Sequence, residues 1–356
     1  MTLTDEHILI IAPYAAEDYS PSDFDILREL PYVKSVTIIE SSGYGQKRKP
    51  DREPTPEEWE RTTALLTARQ LPPSGAAVPN LKYVQVVSAG SNMLFDQAFF
   101  KENQHIFYST SSGTHGPQIA EWIILNLLSF FHRFPKYKEF QDKAHWGTVP
   151  EMGGSIIDQF GRTMGVLGYG AIGRQTARIA KALGMTVHAH TFSSPPKRER
   201  IEAAVPGSGD PDGSIPAKWF TGKDGLAEFF SSGLDVLVIS VPLTAETTNL
   251  ITKAELELMK GVFLINVARG AIVNPTDLVE AAESGLIAGA ALDVTEPEPL
   301  PEGHPMWSAK NIIISPHMSG YAIGYNKRVA NILKHNIERM RDGAPVVNRV
   351  DAAKGY

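Results

Sequence analysis

Gly168-Tyr169-Gly170-Ala171-Ile172-Gly173 sits between an apolar run, Thr163 to Leu167, and a helical stretch, Arg174 to Leu183, that stops at Gly184. In such a segment the first glycine makes a tight strand-to-helix turn. The second lets backbone approach a pyrophosphate, the third lets helix and strand pack closely, and the start of the helix attracts the anion. Glycine spacing alone is a weak signal, because it also fits an ordinary tight turn. Set between a strand and a helix, it predicts a parallel α/β domain that binds a dinucleotide.

The same motif ordinarily carries an acidic residue near the end of its second strand, about 20 residues on, for the ribose hydroxyls of NAD. Here no Asp or Glu occurs between Gly173 and Glu199. The strand ends His190, Thr191, Phe192, Ser193, Ser194, and Lys197, Arg198 and Arg200 follow. Small hydroxyls beside cations suit a 2′-phosphate, since no carboxylate repels it and arginine adds charge-assisted hydrogen bonds. NADP(H) is therefore the expected cofactor, with NAD(H) the alternative if the basic residues face only solvent. His188 and His190 alternate along this strand, share a face, and read as two exposed histidines near the adenine pocket. With no third ligand apparent, no metal site is expected.

At 356 residues the chain is long enough for two domains. A 42% apolar and 21% charged composition is that of a globular protein, and a net charge of −6 gives no basic field for nucleic acid or anionic lipid. The absence of cysteine removes disulfides, thiolate nucleophiles and iron-sulfur ligation, so redox chemistry would need a borrowed cofactor. Asp5 and Glu6 before the short run Ile8 to Ala12 do not resemble a secretory leader, and no apolar stretch nears the roughly 20 residues of a membrane span. A soluble, cytoplasmic protein is expected.

Before Gly113, strands are expected at His7 to Pro13, Val33 to Ile39, Tyr83 to Val87 and Ile106 to Thr110, with a helix opening at Thr55-Pro56. Pro117 to Phe134 repeats apolar residues at helical spacing and links into a second series of strands: Thr163 to Gly168, Met185 to Phe192, Asp235 to Ser240, Val262 to Val267, Ala288 to Val294 and Asn311 to Ser315. Ser193 to Thr221 reads as a long surface loop. The helix around Val329 to Ile337 follows the last strand and is expected to return to the first domain. The expected fold class is therefore α/β with two doubly wound parallel-sheet domains. Residues 1–116 with 321–356 form one, flavodoxin-like and substrate-binding; 117–320 form the Rossmann dinucleotide-binding domain, with the active site in the cleft between them.

Arg269, Glu298 and His317 each follow a strand of the second series, where open parallel sheets bind ligands. A fixed guanidinium at Arg269 suits a small carboxylate, although a structural ion pair would explain it as well. His317 alone would read as a core histidine; Glu298 nearby would orient it and favour its charged, proton-donating form.

These residues resemble the D-isomer-specific 2-hydroxyacid dehydrogenases, in particular the glyoxylate and hydroxypyruvate reductase branch. The resemblance is carried by Ser88-Ala89-Gly90-Ser91, His115-Gly116-Pro117, the glycine fingerprint, Val241-Pro242-Leu243-Thr244, Asn266 to Gly270, Ala291 to Val294, Glu298-Pro299-Leu300 and Ser315-Pro316-His317 with Ser319-Gly320. It implies that Arg269 binds the substrate carboxylate, that His317 paired with Glu298 is the acid/base, and that the amides of Ala89, Gly90 and Ser91 help hold the substrate. It further implies that Asp293 contacts the nicotinamide amide and that Val241, Pro242, Ala268 and Gly320 border the cofactor. The implied reaction is NAD(P)H-dependent reduction of a small 2-oxo acid to a D-2-hydroxy acid by a homodimer, in which Trp146 reaches the partner's pocket. Met93, Leu94, Tyr321 and Tyr325 are candidates for the substrate side chain's space, or else packing residues. The chain departs from the family in its missing acid at Thr191 and in an extra loop from Pro206 to Phe220. A nicotinamide-sensing corepressor on the same scaffold is the rival reading from another class.

Overall fold

The computed structural model describes residues 5–13, 21–41, 52–192 and 205–351. The chain divides into two compact units. One contains the residues up to His115, Val205 and Pro206, and those from Ala322 onward; the other contains the remainder from Gly116 to Tyr321.

The first unit holds β1 (Glu6–Pro13), β2 (Val33–Ser41), β3 (Ala64–Thr67), β4 (Tyr83–Val86) and β5 (Phe107–Thr110), in the order β2-β1-β3-β4-β5. Every pairing is parallel, and the order is that of flavodoxin-like sheets. The helix Pro56–Arg61 starts as expected, on a capping box. Thr55 Oγ1 accepts from the Glu58 amide at 3.2 Å, and Glu58 Oε2 accepts from the Thr55 amide at 2.9 Å. The sequence reading lacked β3, because its four residues, Ala-Leu-Leu-Thr, follow that helix directly and contain good helix formers. The helix Tyr325–Arg341 buries Val329, Ala330, Leu333 and Ile337 against Ile8, Ile10, Leu66 and Tyr83. Both ends of the chain thus build one core.

In the second unit, β6 (Thr163–Leu167), β7 (Thr186–Thr191), β8 (Lys218–Thr221), β9 (Val236–Ile239), β10 (Phe263–Asn266), β11 (Gly289–Leu292) and β12 (Ile312–Ile314) pair in parallel. Their order, β12-β11-β10-β9-β6-β7-β8, is the doubly wound nucleotide-binding order with one added edge strand. Buried four-residue runs such as Val236–Ile239 and Phe263–Asn266 suit strands covered on both faces. The order reverses between β6 and β9, so the crevice at their C-terminal ends is where a ligand binds in such sheets.

Two sequence expectations need correction here. Lys218–Thr221 is not loop; it pairs with His188 to Thr191 as the edge strand β8. Its turn-rich preceding segment hid a strand of only four residues. The linking helix ends at Phe131, and a second helix, Phe134–Asp142, starts after Arg133 in left-handed conformation with φ 56°. Pro135 explains the break, since its ring would clash with the carbonyl four residues earlier in a continuous helix. No helix among the described residues is long and apolar enough to cross a membrane.

His188 and His190 are buried, at 5% and 0% exposure, not exposed as the sequence suggested. His188 Nδ1 lies 2.9 Å from Ser232 Oγ, and His190 Nε2 donates to the Gly222 carbonyl at 2.9 Å. Burial pushes both imidazoles below their ordinary pKa, so the fold keeps them neutral. As pH falls through about 6.5 the unfolded chain takes up protons that these buried rings refuse. Their contribution is whole above that range and is lost below it, by at most about 1.4 kcal/mol per pH unit for each ring. Urea unfolding midpoints are expected to decline from neutral pH toward pH 5, less steeply in His190→Gln; equal slopes would contradict the assignment.

Candidate active site

The glycines of the phosphate turn serve three different steric ends. Gly168 has φ +96°, and a Cβ there would lie 2.8 Å from the Ser240 backbone. A Cβ on Gly173 would lie 2.3 Å from the Gly168 carbonyl oxygen and 2.8 Å from Val166. At Gly170, by contrast, a Cβ would meet nothing within 4 Å. A turn that is crowded at its first and third glycines and open at its second suits a pyrophosphate laid against backbone. The residues therefore fit a dinucleotide. Gly170 caps the helix Ala171–Ala182, so Ala171 and Ile172 form the helix start that favours an anion.

Around this turn, Val241 packs against Gly168 from the end of β9, and Pro242 follows it on the surface. Thr191 ends β7 with its carbonyl accepting from Gly222 at 3.0 Å. Ser193, Lys197 and Arg198 lie outside the described residues. Tyr169 is buried.

Arg269, Glu298 and His317 emerge from the adjacent strands β10, β11 and β12, whose ends are in register at Asn266, Leu292 and Ile314. Asn266 builds the turn out of β10: its Oδ1 accepts from the Ala268 amide at 3.0 Å and its Nδ2 donates to the Arg269 carbonyl at 2.9 Å. Gly270 lets this turn lie against the next loop, for a Cβ there would sit 2.0 Å from the Thr295 carbonyl. Arg269 is half-buried, its guanidinium donating to the Ala268 carbonyl at 2.6 Å, and it forms no ion pair among the described residues. The structural ion pair weighed from the sequence is absent there.

Glu298 Oε1 lies 2.6 Å from His317 Nδ1, with side chains 29% and 31% exposed. The His317 backbone is left-handed at φ 56°, held by its amide donating to the Asp293 carbonyl at 2.8 Å. Asp293 is buried. Its Oδ1 accepts from Ser315 Oγ at 2.5 Å and from the Met318 amide at 2.8 Å, and both carboxylate oxygens accept from the Ser319 amide at 3.1 Å. The structure thus places Asp293 as the anchor of the turn that carries His317, a bonding pattern the sequence reading lacked. Gly320 follows, its carbonyl accepting from Gln118 at 3.1 Å.

Ala89, Gly90 and Ser91 belong to the first unit, after β4, where Ser88 Oγ donates to the Gly90 carbonyl at 2.7 Å. Of the pocket candidates, Leu94 is a core residue. Tyr325 places its hydroxyl on the Val87 carbonyl and its ring 4.8 Å from His115. Three working residues escaped the sequence reading: Asn266, Gly270 and Arg174. The first two stood inside the quoted Asn266 to Gly270 segment, where an Asn two residues before the amide it caps and a glycine after an arginine signal a tight turn.

Comparison with known proteins places the chain in a family. The profile of the D-isomer specific 2-hydroxyacid dehydrogenase, NAD binding domain, matches residues 124–209 and 217–319. A hydroxypyruvate reductase from Blautia hydrogenotrophica is 30% identical over 75% of this chain and 78% of its own length. A glyoxylate/hydroxypyruvate reductase A from Salmonella typhimurium is 28% identical over 84% of this chain and 86% of its own. Among solved structures, a D-isomer specific 2-hydroxyacid dehydrogenase from Xanthobacter autotrophicus Py2, in complex with NADPH and MES, superposes with a TM-score of 0.71 at 26% identity, covering 98% of this chain and 99% of that one. The chain belongs to the D-isomer specific 2-hydroxyacid dehydrogenase family. It is an oxidoreductase with a nicotinamide-dinucleotide-binding domain.

Proposed function

We propose that the protein reduces small 2-oxo acids, glyoxylate and hydroxypyruvate first among them, to D-2-hydroxy acids, with NADP(H) preferred over NAD(H). The observation that carries this reading is the 2.6 Å contact of Glu298 with His317, beside Arg269 on the neighbouring strand end. The bound reduced nicotinamide would supply a hydride. Arg269 binds the substrate carboxylate and polarises the carbonyl. His317 delivers a proton to the carbonyl oxygen through Nε2, because Nδ1 is engaged by Glu298. One hydride and one proton thus convert the ketone into an alcohol. The amides of Ala89, Gly90 and Ser91 are assigned to the substrate carboxylate, and Gly168 to Gly173, Thr191, Val241, Pro242, Ala268, Asp293 and Gly320 to the cofactor. The relatives' names support the substrate class. The lack of an acid between Gly173 and Glu199 and the NADPH held by the Xanthobacter protein support the cofactor.

Initial rates with NADPH and NADH, across acids from glyoxylate through hydroxypyruvate to branched 2-oxo acids, test this. Turnover with NADPH preferred is expected. An NADH preference would overturn the 2′-phosphate argument alone, and cofactor binding without any turnover would overturn the reductase in favour of a sensing role. Leu125, Phe134, Trp146 and Phe160, at 58% to 96% exposure, support a homodimer through this segment. Light scattering should give twice the 38.9 kDa chain mass; a monomer would refute it.

A further inference from the structure

The segment read from sequence as a surface loop after Pro206 is fastened to the phosphate turn. Tyr169 donates its hydroxyl to Asp210 Oδ2 at 2.7 Å. Asp210 is only 4% exposed; its Oδ1 also accepts from the Ser214 amide and its Oδ2 from the Ile215 amide, each at 3.1 Å. One carboxylate therefore closes the turn 210–215 and ties it to the fingerprint. Arg174 makes the second tie. Its guanidinium is 1% exposed and lies 5.0 Å from the centre of the Tyr169 ring. Arg174 Nε donates to the Tyr169 carbonyl at 3.1 Å and Nη1 to the Asp210 carbonyl at 2.5 Å. Further along the same helix, Gln175 Oε1 accepts from the Gly209 amide at 2.6 Å and Arg178 donates to the Gly207 carbonyl at 2.5 Å. Trp219 closes the edge of the Tyr169 ring, centroids 4.9 Å apart.

Burying a guanidinium and a carboxylate is costly unless hydrogen bonds satisfy them, so a loop without a role would not call for both. The consequence of the tie follows from peptide geometry. In a planar trans peptide the C=O and N–H point in opposite directions. The Tyr169 carbonyl is drawn inward by Arg174, so the Gly170 N–H of the same peptide is turned outward. That N–H donates to no acceptor among the described residues, and a Cβ on the same residue would meet nothing within 4 Å.

We propose that residues 207–215 form a strap that positions the phosphate turn, with Asp210 and Arg174 holding the Tyr169-Gly170 peptide so that its amide meets the dinucleotide's pyrophosphate. Asp210 and Arg174 are positioning residues: they act through backbone they fix. This inference rests on the dinucleotide reading and deepens it. It also gives the segment that sets this chain apart from its family a task at the cofactor.

Titration calorimetry of the full chain with NADPH, NADH and, as a probe without pyrophosphate, adenosine 2′-monophosphate tests it in Asp210→Asn, Arg174→Gln and Arg174→Lys. Asp210→Asn and Arg174→Gln are expected to weaken both dinucleotides about tenfold, the cost of misplacing one charge-assisted hydrogen bond. Binding of the monophosphate should stay within about twofold, and Arg174→Lys should recover part of the loss because an ammonium can still hold one carbonyl. Equal weakening of all three ligands would show a domain merely loosened and overturn the proposal. So would unchanged dinucleotide affinity in variants of a parent that binds. A parent that binds neither dinucleotide would overturn the strap together with the reading beneath it.

Discussion

Arg269→Ala is expected to lower kcat/KM for a 2-oxo acid about 10³-fold, or about 4 kcal/mol of transition-state stabilisation, while cofactor affinity stays close to that of the parent. The guanidinium offers two parallel donors to a carboxylate and a positive charge to the oxygen on which negative charge grows as the carbonyl is reduced. Without it substrate can still bind, but the reacting carbon is no longer held in line, and misplacement itself costs orders of magnitude. The structure isolates this effect from folding. Among the described residues the Arg269 side chain bonds only its neighbour's carbonyl, at Ala268, whereas the turn is built by Asn266 and by the close approach of Gly270 to Thr295. Arg269→Lys keeps the charge and loses the fork, so an intermediate loss is expected. Steady-state kinetics beside thermal melts decide the matter. A loss below tenfold, or a loss matched by a fall in melting temperature, would remove Arg269 from the carboxylate.

How much of this was legible follows from which physical signals are local. The phosphate turn was readable because its three glycines are required within six residues, and each requirement is now visible as a positive φ, an open side or a contact. Arg269, Glu298 and His317 could be grouped as candidates without knowing any distance, because strands of a parallel sheet deliver their loops to one edge. Of the two lost strands, Ala64–Thr67 follows a helix closely and contains good helix formers, and Lys218–Thr221 lacks the continuous apolar run that marked equally short strands such as Val236–Ile239. His188 and His190 were misjudged as exposed because alternation reveals a shared face but not what covers it; Phe229 lies 5.6 Å from the His190 ring. Asp210 was invisible as a partner of Tyr169 for the same reason: 41 residues separate them, and only the packing of the fold joins them.

His317→Ala is expected to cost 10²- to 10⁴-fold in kcat, roughly the span of general acid catalysis, and to flatten the pH dependence of what remains. Reduction must place a proton on the carbonyl oxygen, and with Nδ1 held 2.6 Å from Glu298 only Nε2 can supply it. Glu298→Gln separates orientation from charge. The amide oxygen can still accept from Nδ1 and hold the ring, but it brings no negative charge to the pair. Glu298→Gln is therefore expected to lower kcat for oxo-acid reduction while substrate KM and cofactor affinity stay near those of the parent. A purely orienting role for Glu298 would leave kcat of Glu298→Gln close to that of the parent. That outcome would reduce the pair to a hydrogen bond that keeps His317 in its left-handed turn beside Asp293. Full activity of His317→Ala across pH would place the proton donor elsewhere.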